Sequence, residues 1–217
     1  MTKVIDFSDN FYQAILFDFD GVLAESMNVK TEAFATLFEE FGKEVVEKVV
    51  KHHVKHGGIS RYKKMRYYYE KYLNKPLSDK KLNDLAKQFS DLVVEKVIES
   101  DWVKGVKDFL EKYYQIIDLY VVSGTPQEEL ELIVKRRNME KYFKGVYGSP
   151  EVKPTIIRRI ISERKYDPDK IIYIGDSMSD YNGAKETEAL FLGRVPKNSE
   201  SPFPENTLIF SDFYEVL

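Results

Sequence analysis

The chain has 217 residues, 43% of them hydrophobic, enough for one substantial core or for a core with a smaller satellite domain. Charged residues make up 32%, yet the formal net charge is only -3, which excludes the basic footprint of a nucleic-acid binder. There is no cysteine, which excludes disulfides and thiolate metal sites, and no run approaches the ~20 apolar residues that span a bilayer.

The first residues include Asp6 and Asp9 and lack a continuous apolar run, so they do not read as a signal peptide, and a soluble, cytoplasmic protein is expected. Ala14 to Phe19 (AILFDF) is a short apolar run ending in acids and Gly21, which predicts a buried strand. From Asn28 to Ser100 no buried strand is predicted. Phe34, Leu37, Phe38 and Phe41 share one helical stripe. Leu82, Leu85, Phe89, Val93 and Val97 share another, behind an N-cap at Ser78, and Asn74-Lys75-Pro76 marks a loop between helices. The tyrosines 67, 68, 69 and 72 fit an amphipathic helix with aromatic packing.

Strands then return at Leu119 to Ser123, Ile171 to Ile174, Ala189 to Gly193 and, more weakly, Thr207 to Phe210. Helical patterns separate the later strands, over Pro126 to Arg137, Thr155 to Arg164 and Ser179 to Thr187. This alternation predicts an α/β fold with a parallel sheet, built from residues 1–27 and 100–217 and interrupted by a helical insertion over 28–99.

The chemistry-bearing residues fall at strand ends. Asp18 and Asp20 close the first strand, two residues apart, so both carboxylates can face one ligand. A solvated acidic turn would look the same in isolation. A second acidic cluster, Gly175-Asp176-Ser177-Met178-Ser179-Asp180, follows another strand in the same manner. Carboxylates converging from two strands repel one another unless a cation is present, and all-oxygen ligation suits a hard ion such as Mg2+. Asp180 also fits a first-turn helix acid. Ser123-Gly124-Thr125-Pro126-Gln127-Glu128 ends a third strand. Thr125 and Glu128 have capping-box spacing, and a helix N-terminus there favours an anion. Lys153 precedes Pro154 and a helix, and only its order among the other pieces marks it out.

Taken in order, DFDGVLAES at Asp18 to Ser26, SGT at Ser123 to Thr125, Lys153, and GDSMSD at Gly175 to Asp180 resemble the four motifs of the haloacid dehalogenase superfamily, over the whole chain. The resemblance implies a Rossmann-like core with a helical cap inserted after the first motif, in the manner of phosphoglycolate phosphatases and β-phosphoglucomutases. It also implies roles. Asp18 would be the nucleophile and form an aspartyl-phosphate. Asp20 would protonate the leaving oxygen and then activate water. Asp18, the Asp20 carbonyl and Asp176 would bind Mg2+, with Asp180 binding it directly or through water. Ser123, Gly124 and Lys153 would hold the phosphoryl oxygens. The aspartate at position 20 marks phosphoryl transfer and disfavours dehalogenation. A phosphatase acting on a small phosphorylated metabolite is expected, with a phosphomutase or a catalytically silent scaffold as the alternatives, and a monomer or weak homodimer as the assembly.

Within the insertion, His52, His53 and His56 crowd together before Gly57-Gly58, which reads as a helix break. A zinc site is not expected there, because no third ligand or HExxH glutamate accompanies His52 and His56. Arg61 and Lys64 follow the glycines and are expected to reach the leaving group of the substrate. A sugar phosphate is the leading expectation for that substrate, with phosphoglycolate-like acids next.

Overall fold

The computed structural model describes Phe7 and residues 11–217. The signal-peptide reading at Asp6 and Asp9 lies outside the described residues. Strand β1 (Ala14–Phe17) occupies the middle of a six-stranded sheet. The other strands are β2 (Asp118–Pro126), β3 (Gly145–Ser149), β4 (Ile171–Gly175), β5 (Leu190–Arg194) and β6 (Ile209–Phe210). The order is β3-β2-β1-β4-β5-β6 and every pairing is parallel. The order reverses at β1, with β2 on one side and β4 on the other. In sheets of this kind, ligands bind beyond the carboxyl ends of the strands at that reversal.

Alternation along the strands divides the core into two layers. Ile15, Phe17, Leu119, Val121, Ile172 and Ile174 pack on one face. Ala14, Leu16, Tyr120, Val122, Ile171 and Tyr173 pack on the other. The second face is covered by α7 (Lys153–Arg164) through Ile156, Ile157 and Ile160, and by α8 (Met178–Glu186) through Ala184. The first face is covered by α5 (Val106–Tyr113) and α6 (Gln127–Arg136).

Between β1 and β2 the chain forms α1 (Met27–Phe38), α2 (Lys43–Lys55), α3 (Arg61–Lys71) and α4 (Asp79–Glu99), with no strand among them. Phe34, Leu37 and Phe38 of the first predicted stripe are buried, as is all of the second stripe on α4. Phe34 meets Phe89 at 4.5 Å between ring centroids, and Phe38 meets Tyr68 edge-on at 5.4 Å. The Ser78 hydroxyl accepts the Lys81 N–H and caps α4. One apolar cluster runs without a break from the sheet through α4 into this helical insertion. Among the described residues no helix is long and apolar enough to cross a membrane.

Three local expectations need correction. Strand β3 is not visible in the apolar pattern because it is an edge strand, GVYGS, half-buried and bracketed by glycines. The last strand is only two residues long. Thr125 does not cap a helix: β2 runs through Pro126, α6 begins at Gln127, and the Thr125 hydroxyl donates instead to Asp20 at 3.2 Å. The helix starts one residue too late for Thr125 to stand at its N-cap, which is Pro126.

The chain enters and leaves the insertion side by side. Glu25 N–H donates to Asp101 (2.9 Å) and Val103 N–H to Leu23 (3.2 Å), and Ala24 bridges Trp102 antiparallel. Arg137, at the end of α6, braces this crossing. Its guanidinium reaches the carbonyls of Val97, Ile98 and Ser100, each at 2.8 Å, and lies over the Trp102 ring. These are carbonyls that the end of α4 leaves unsatisfied. Arg137→Ala should therefore destabilise the fold by about 2–3 kcal/mol, the scale of lost charge-assisted hydrogen bonds. Urea unfolding measures it, and an unchanged midpoint would show that the brace is dispensable.

Candidate active site

The carboxyl ends of β1 and β4 bring Asp18, Asp176 and Asp180 together, with one carboxylate oxygen from each lying within 4.8 Å of the others. Lys153, the first residue of α7, reaches into this cluster. Its Nζ lies 2.9 Å from Asp18 Oδ2 and 2.5 Å from Asp180 Oδ1. Asp18 is further fixed by the Phe19 N–H, 2.7 Å from Oδ1. Burial pushes the Asp18 carboxyl up to about 6; Lys153 opposes this, while Asp180 and Asp20 add to it. Burial disfavours a charged Lys153, but its two aspartates override that and hold the amine above the ordinary lysine range.

Asp180 is the most completely engaged of the acids. Its Oδ1 also accepts from the Tyr173 hydroxyl at 2.8 Å, and its Oδ2 accepts the Ser177 N–H (3.1 Å) and hydroxyl (2.6 Å). In this structure it therefore orients Lys153 and the start of α8. Asp176 is the opposite case: its Oδ1 is buried and has no hydrogen-bond partner. Burial, with Asp18 and Asp180 beside it, pushes its pKa well above the carboxylate range.

Asp20 carries its own cation. Lys30, on α1, forms an ion pair with Asp20 Oδ2, and the Ser26 hydroxyl donates to Oδ1 at 2.6 Å. Burial works against the charged form of Asp20, but Lys30, helped by Ser26 and Thr125, outweighs it and holds the pKa below the usual carboxylate range. Lys30 and Ser26 were not singled out from the sequence. Their spacing, six and ten residues after Asp20, places Ser26 at the start of α1 and Lys30 one turn along it.

Ser123 and Gly124 line the same cavity as Asp18 and Asp20, together with Phe34, His53, Arg61, Lys64 and Phe89 of the insertion. The cavity is narrow and open to solvent at its mouth. The Gly57-Gly58 turn lies over it. Gly58 has φ +70°, and a Cβ there would stand 2.2 Å from Ser179 Oγ and 3.0 Å from Lys153 Nζ. On the sheet side, a Cβ on Gly124 would lie 2.6 Å from the Gly58 carbonyl oxygen. Two glycines therefore let the backbone of the insertion touch the site itself.

The two insertion cations differ. Arg61 makes a bidentate pair with Glu129 of α6, at 2.9 and 2.5 Å, and Ser90 of α4 joins both. Its charge is therefore matched within the chain. Lys64 has no such partner and contacts His53. Glu129 was also not singled out from the sequence, and His53 only as one of the histidine cluster. Of the other histidines, His52 and His56 meet at a tilt, 4.2 Å between ring centroids, and His52 stacks on Tyr67 at 4.4 Å.

The haloacid dehalogenase-like hydrolases match this chain over residues 15–193, from the first strand to the fifth. The chain belongs to that family. The hydrolase is 24% identical over 178 residues to a phosphorylated carbohydrates phosphatase of Thermotoga maritima, covering 80% of each chain. Its fold superposes on β-phosphoglucomutase from Clostridium difficile with a TM-score of 0.77 at 16% identity, covering 95% of this chain and 93% of that one. It also matches CbbY from Rhodobacter sphaeroides in complex with xylulose-(1,5)-bisphosphate, with a TM-score of 0.72 at 17% identity over 93% and 95% of the two chains.

A divalent cation fits the residues present. The orphaned Asp176 Oδ1 lacks a partner that the chain does not supply, and Asp18 and Asp176 are held up in pKa by burial and mutual repulsion. A hard cation relieves both conditions.

This has a measurable consequence for stability. A carboxyl whose folded pKa exceeds its unfolded value stabilises the fold below the unfolded pKa and loses that contribution as pH rises through the folded one. Without metal, Asp18 loses its contribution over that interval, since burial pushes its carboxyl up to about 6. Thermal melts of the hydrolase at about pH 5 and about pH 8 should therefore show a larger gain from Mg2+ over chelator at the higher pH. Equal gains at both pH values, or none, would contradict a cation at these carboxylates.

Proposed function

We propose that this hydrolase is a phosphatase that cleaves a small phosphorylated carbohydrate or comparable phosphomonoester, using Asp18 as a covalent nucleophile. The carrying observation is the state of Asp18: one carboxylate oxygen fixed by a backbone N–H and the other by Lys153, at the sheet's reversal and at the floor of a cavity. The phosphatase named in Thermotoga maritima and the bisphosphate bound to the Rhodobacter sphaeroides relative support a sugar-phosphate substrate.

In this reading the phosphoryl group sits between Asp18 and the Ser123-Gly124 end of β2, with Lys153 neutralising its oxygens. An Asp18 oxygen attacks phosphorus as the ester P–O bond breaks. Asp20 gives its proton to the departing oxygen. Asp20 rests ionised beside Lys30, and the arriving phosphate dianion raises its proton affinity. In the second half, Asp20 takes a proton from water, the resulting hydroxide attacks the aspartyl-phosphate, and Asp18 is released with inorganic phosphate. Asp18, the Asp20 carbonyl and Asp176 would hold Mg2+, which would supply charge neutralisation for the phosphoryl oxygens. Asp180 acts through Lys153. The helical insertion serves as the cap, its Gly57-Gly58 turn excluding water from the covered site.

Phosphate release from a panel of sugar phosphates with Mg2+ tests this directly. Asp18→Asn should abolish turnover by several orders of magnitude, and Asp20→Asn should cost ~10²–10⁴-fold. Full activity in excess chelator, or a position-18 variant with near-normal rates, would refute the mechanism. Isomerised sugar phosphate in place of inorganic phosphate would identify a mutase built on the same nucleophile.

Gly58→Ala tests the cap. The added methyl meets Ser179 and Lys153 at a backbone conformation that L residues rarely adopt. It should lower kcat/KM by about tenfold or more while the melting temperature of the core changes little. An unaffected kcat/KM would separate the turn from catalysis.

A further inference from the structure

We infer that Lys64 and His53 form an anion subsite for the leaving group, so that the substrate carries a second negative group, a carboxylate or a second phosphate, besides the phosphoryl that is transferred. This rests on the phosphatase reading and deepens it.

The first observation is a mismatch of charge. The other cations at the cavity are each met by an acid of the chain: Lys30 by Asp20, Arg61 by Glu129, and Lys153 by Asp18 and Asp180. Lys64 is only 2% exposed, and among the described residues it has no carboxylate within ion-pair distance. Its contacts are His53 Nδ1 at 2.9 Å, the His53 carbonyl at 3.4 Å, and the Phe34 ring at 5.8 Å. An ammonium has three N–H groups, and these contacts occupy two at most. A buried charge without a counter-charge is costly. Burial, with Lys30 nearby, accordingly pulls the Lys64 pKa down to about 7.

The second observation is one of hydrogen bonding. With Lys64 donating to Nδ1, His53 is the neutral tautomer and carries its proton on Nε2. Burial, with Lys64 and Lys30 beside it, strongly opposes a second proton on the ring. His53 is 3% exposed, and its Nε2 is buried with no hydrogen-bond partner. Two adjacent buried side chains therefore each hold an unused donor, and both line the cavity that contains Asp18 and Asp20.

A ligand that accepts hydrogen bonds and carries negative charge satisfies both. The transferring phosphoryl does not meet this need, because Lys153, Ser123 and Gly124 serve it from the sheet edge. Lys64 enters from α3, on the insertion side, where the rest of the substrate lies. Asp20 is unavailable as a partner, since Lys30, Ser26 and Thr125 already occupy its oxygens.

Two matched pairs of esters test this. Glycerol 1-phosphate and 3-phosphoglycerate differ by a carboxylate; glucose 1-phosphate and glucose 1,6-bisphosphate differ by a phosphate. In at least one pair the native enzyme should favour the charged member in kcat/KM by about tenfold or more, chiefly through KM. Lys64→Met should collapse that preference, and Lys64→Arg should retain part of it. The responding pair identifies the second anion. Lack of preference for the charged member in both pairs, or a ratio that survives Lys64→Met, would overturn the subsite. A purely structural Lys64 would lower both members of a pair together and leave the ratio intact. If Lys64→Met does not fold, Lys64→Gln supplies the same ratio. If none of the four esters is hydrolysed, the phosphatase reading fails by itself. The subsite then stands or falls on thermal shift: the charged ligands should stabilise the native protein more than their neutral partners, and Lys64→Met should erase that difference.

Discussion

The site depends on one ammonium group. Lys153 lies between Asp18 and Asp180, and without it acids from two strand ends would face one another in a buried, weakly screened space. Its position is a packing consequence. Ile156, Ile157 and Ile160 seat α7 against the sheet, and the first residue of that helix is thereby aimed at the carboxyl ends of β1 and β4. Tyr173, buried on the same face, and Ser177 then hold Asp180, so that Lys153 is gripped from both sides. The order of cause runs from apolar helix face, to lysine, to nucleophile.

The near-neutral net charge of the chain conceals a division of labour. Acids come from the sheet edge, while Lys30, Arg61 and Lys64 come from the helical insertion. Docking the insertion therefore matches charge as well as burying apolar surface. The apolar part is the continuous cluster through α4, including Phe34, Phe38, Phe89 and Val93. The polar part is local: one pair at Asp20, one at Glu129, and the Gly58-Gly124 approach between them. Apolar burial is forgiving about register, whereas the pairs and the glycine contact are not.

Much of this arrangement was legible in the sequence, because strand-end acids and apolar stripes are local signals. Asp18, Asp20 and Asp176 could be placed from strand ends alone, and the α1 and α4 stripes from helical spacing. Other features could not be read that way. Glu129 lies on an ordinary amphipathic helix, and only the fold brings it to Arg61, 68 positions away. Lys30 is one lysine among 33 basic residues. Thr125 misled because capping-box spacing is a local rule, and it lost to a buried carboxylate reached across the fold. Strand β3 escaped because two of its five residues are glycines. Residues whose role is set by long-range partners leave no trace in local pattern.

The link between Lys30 and Asp20 couples the placing of a helix to the protonation of an acid. Asp20 follows β1 and stays with the sheet, whereas Lys30 rides on α1. Any displacement of α1 from the sheet edge removes the counter-ion that keeps Asp20 ionised. A buried Asp20 without Lys30 would hold its proton more tightly, because burial would then act on it unopposed. The proton affinity of Asp20 is thus tied to the seating of one helix against the sheet edge.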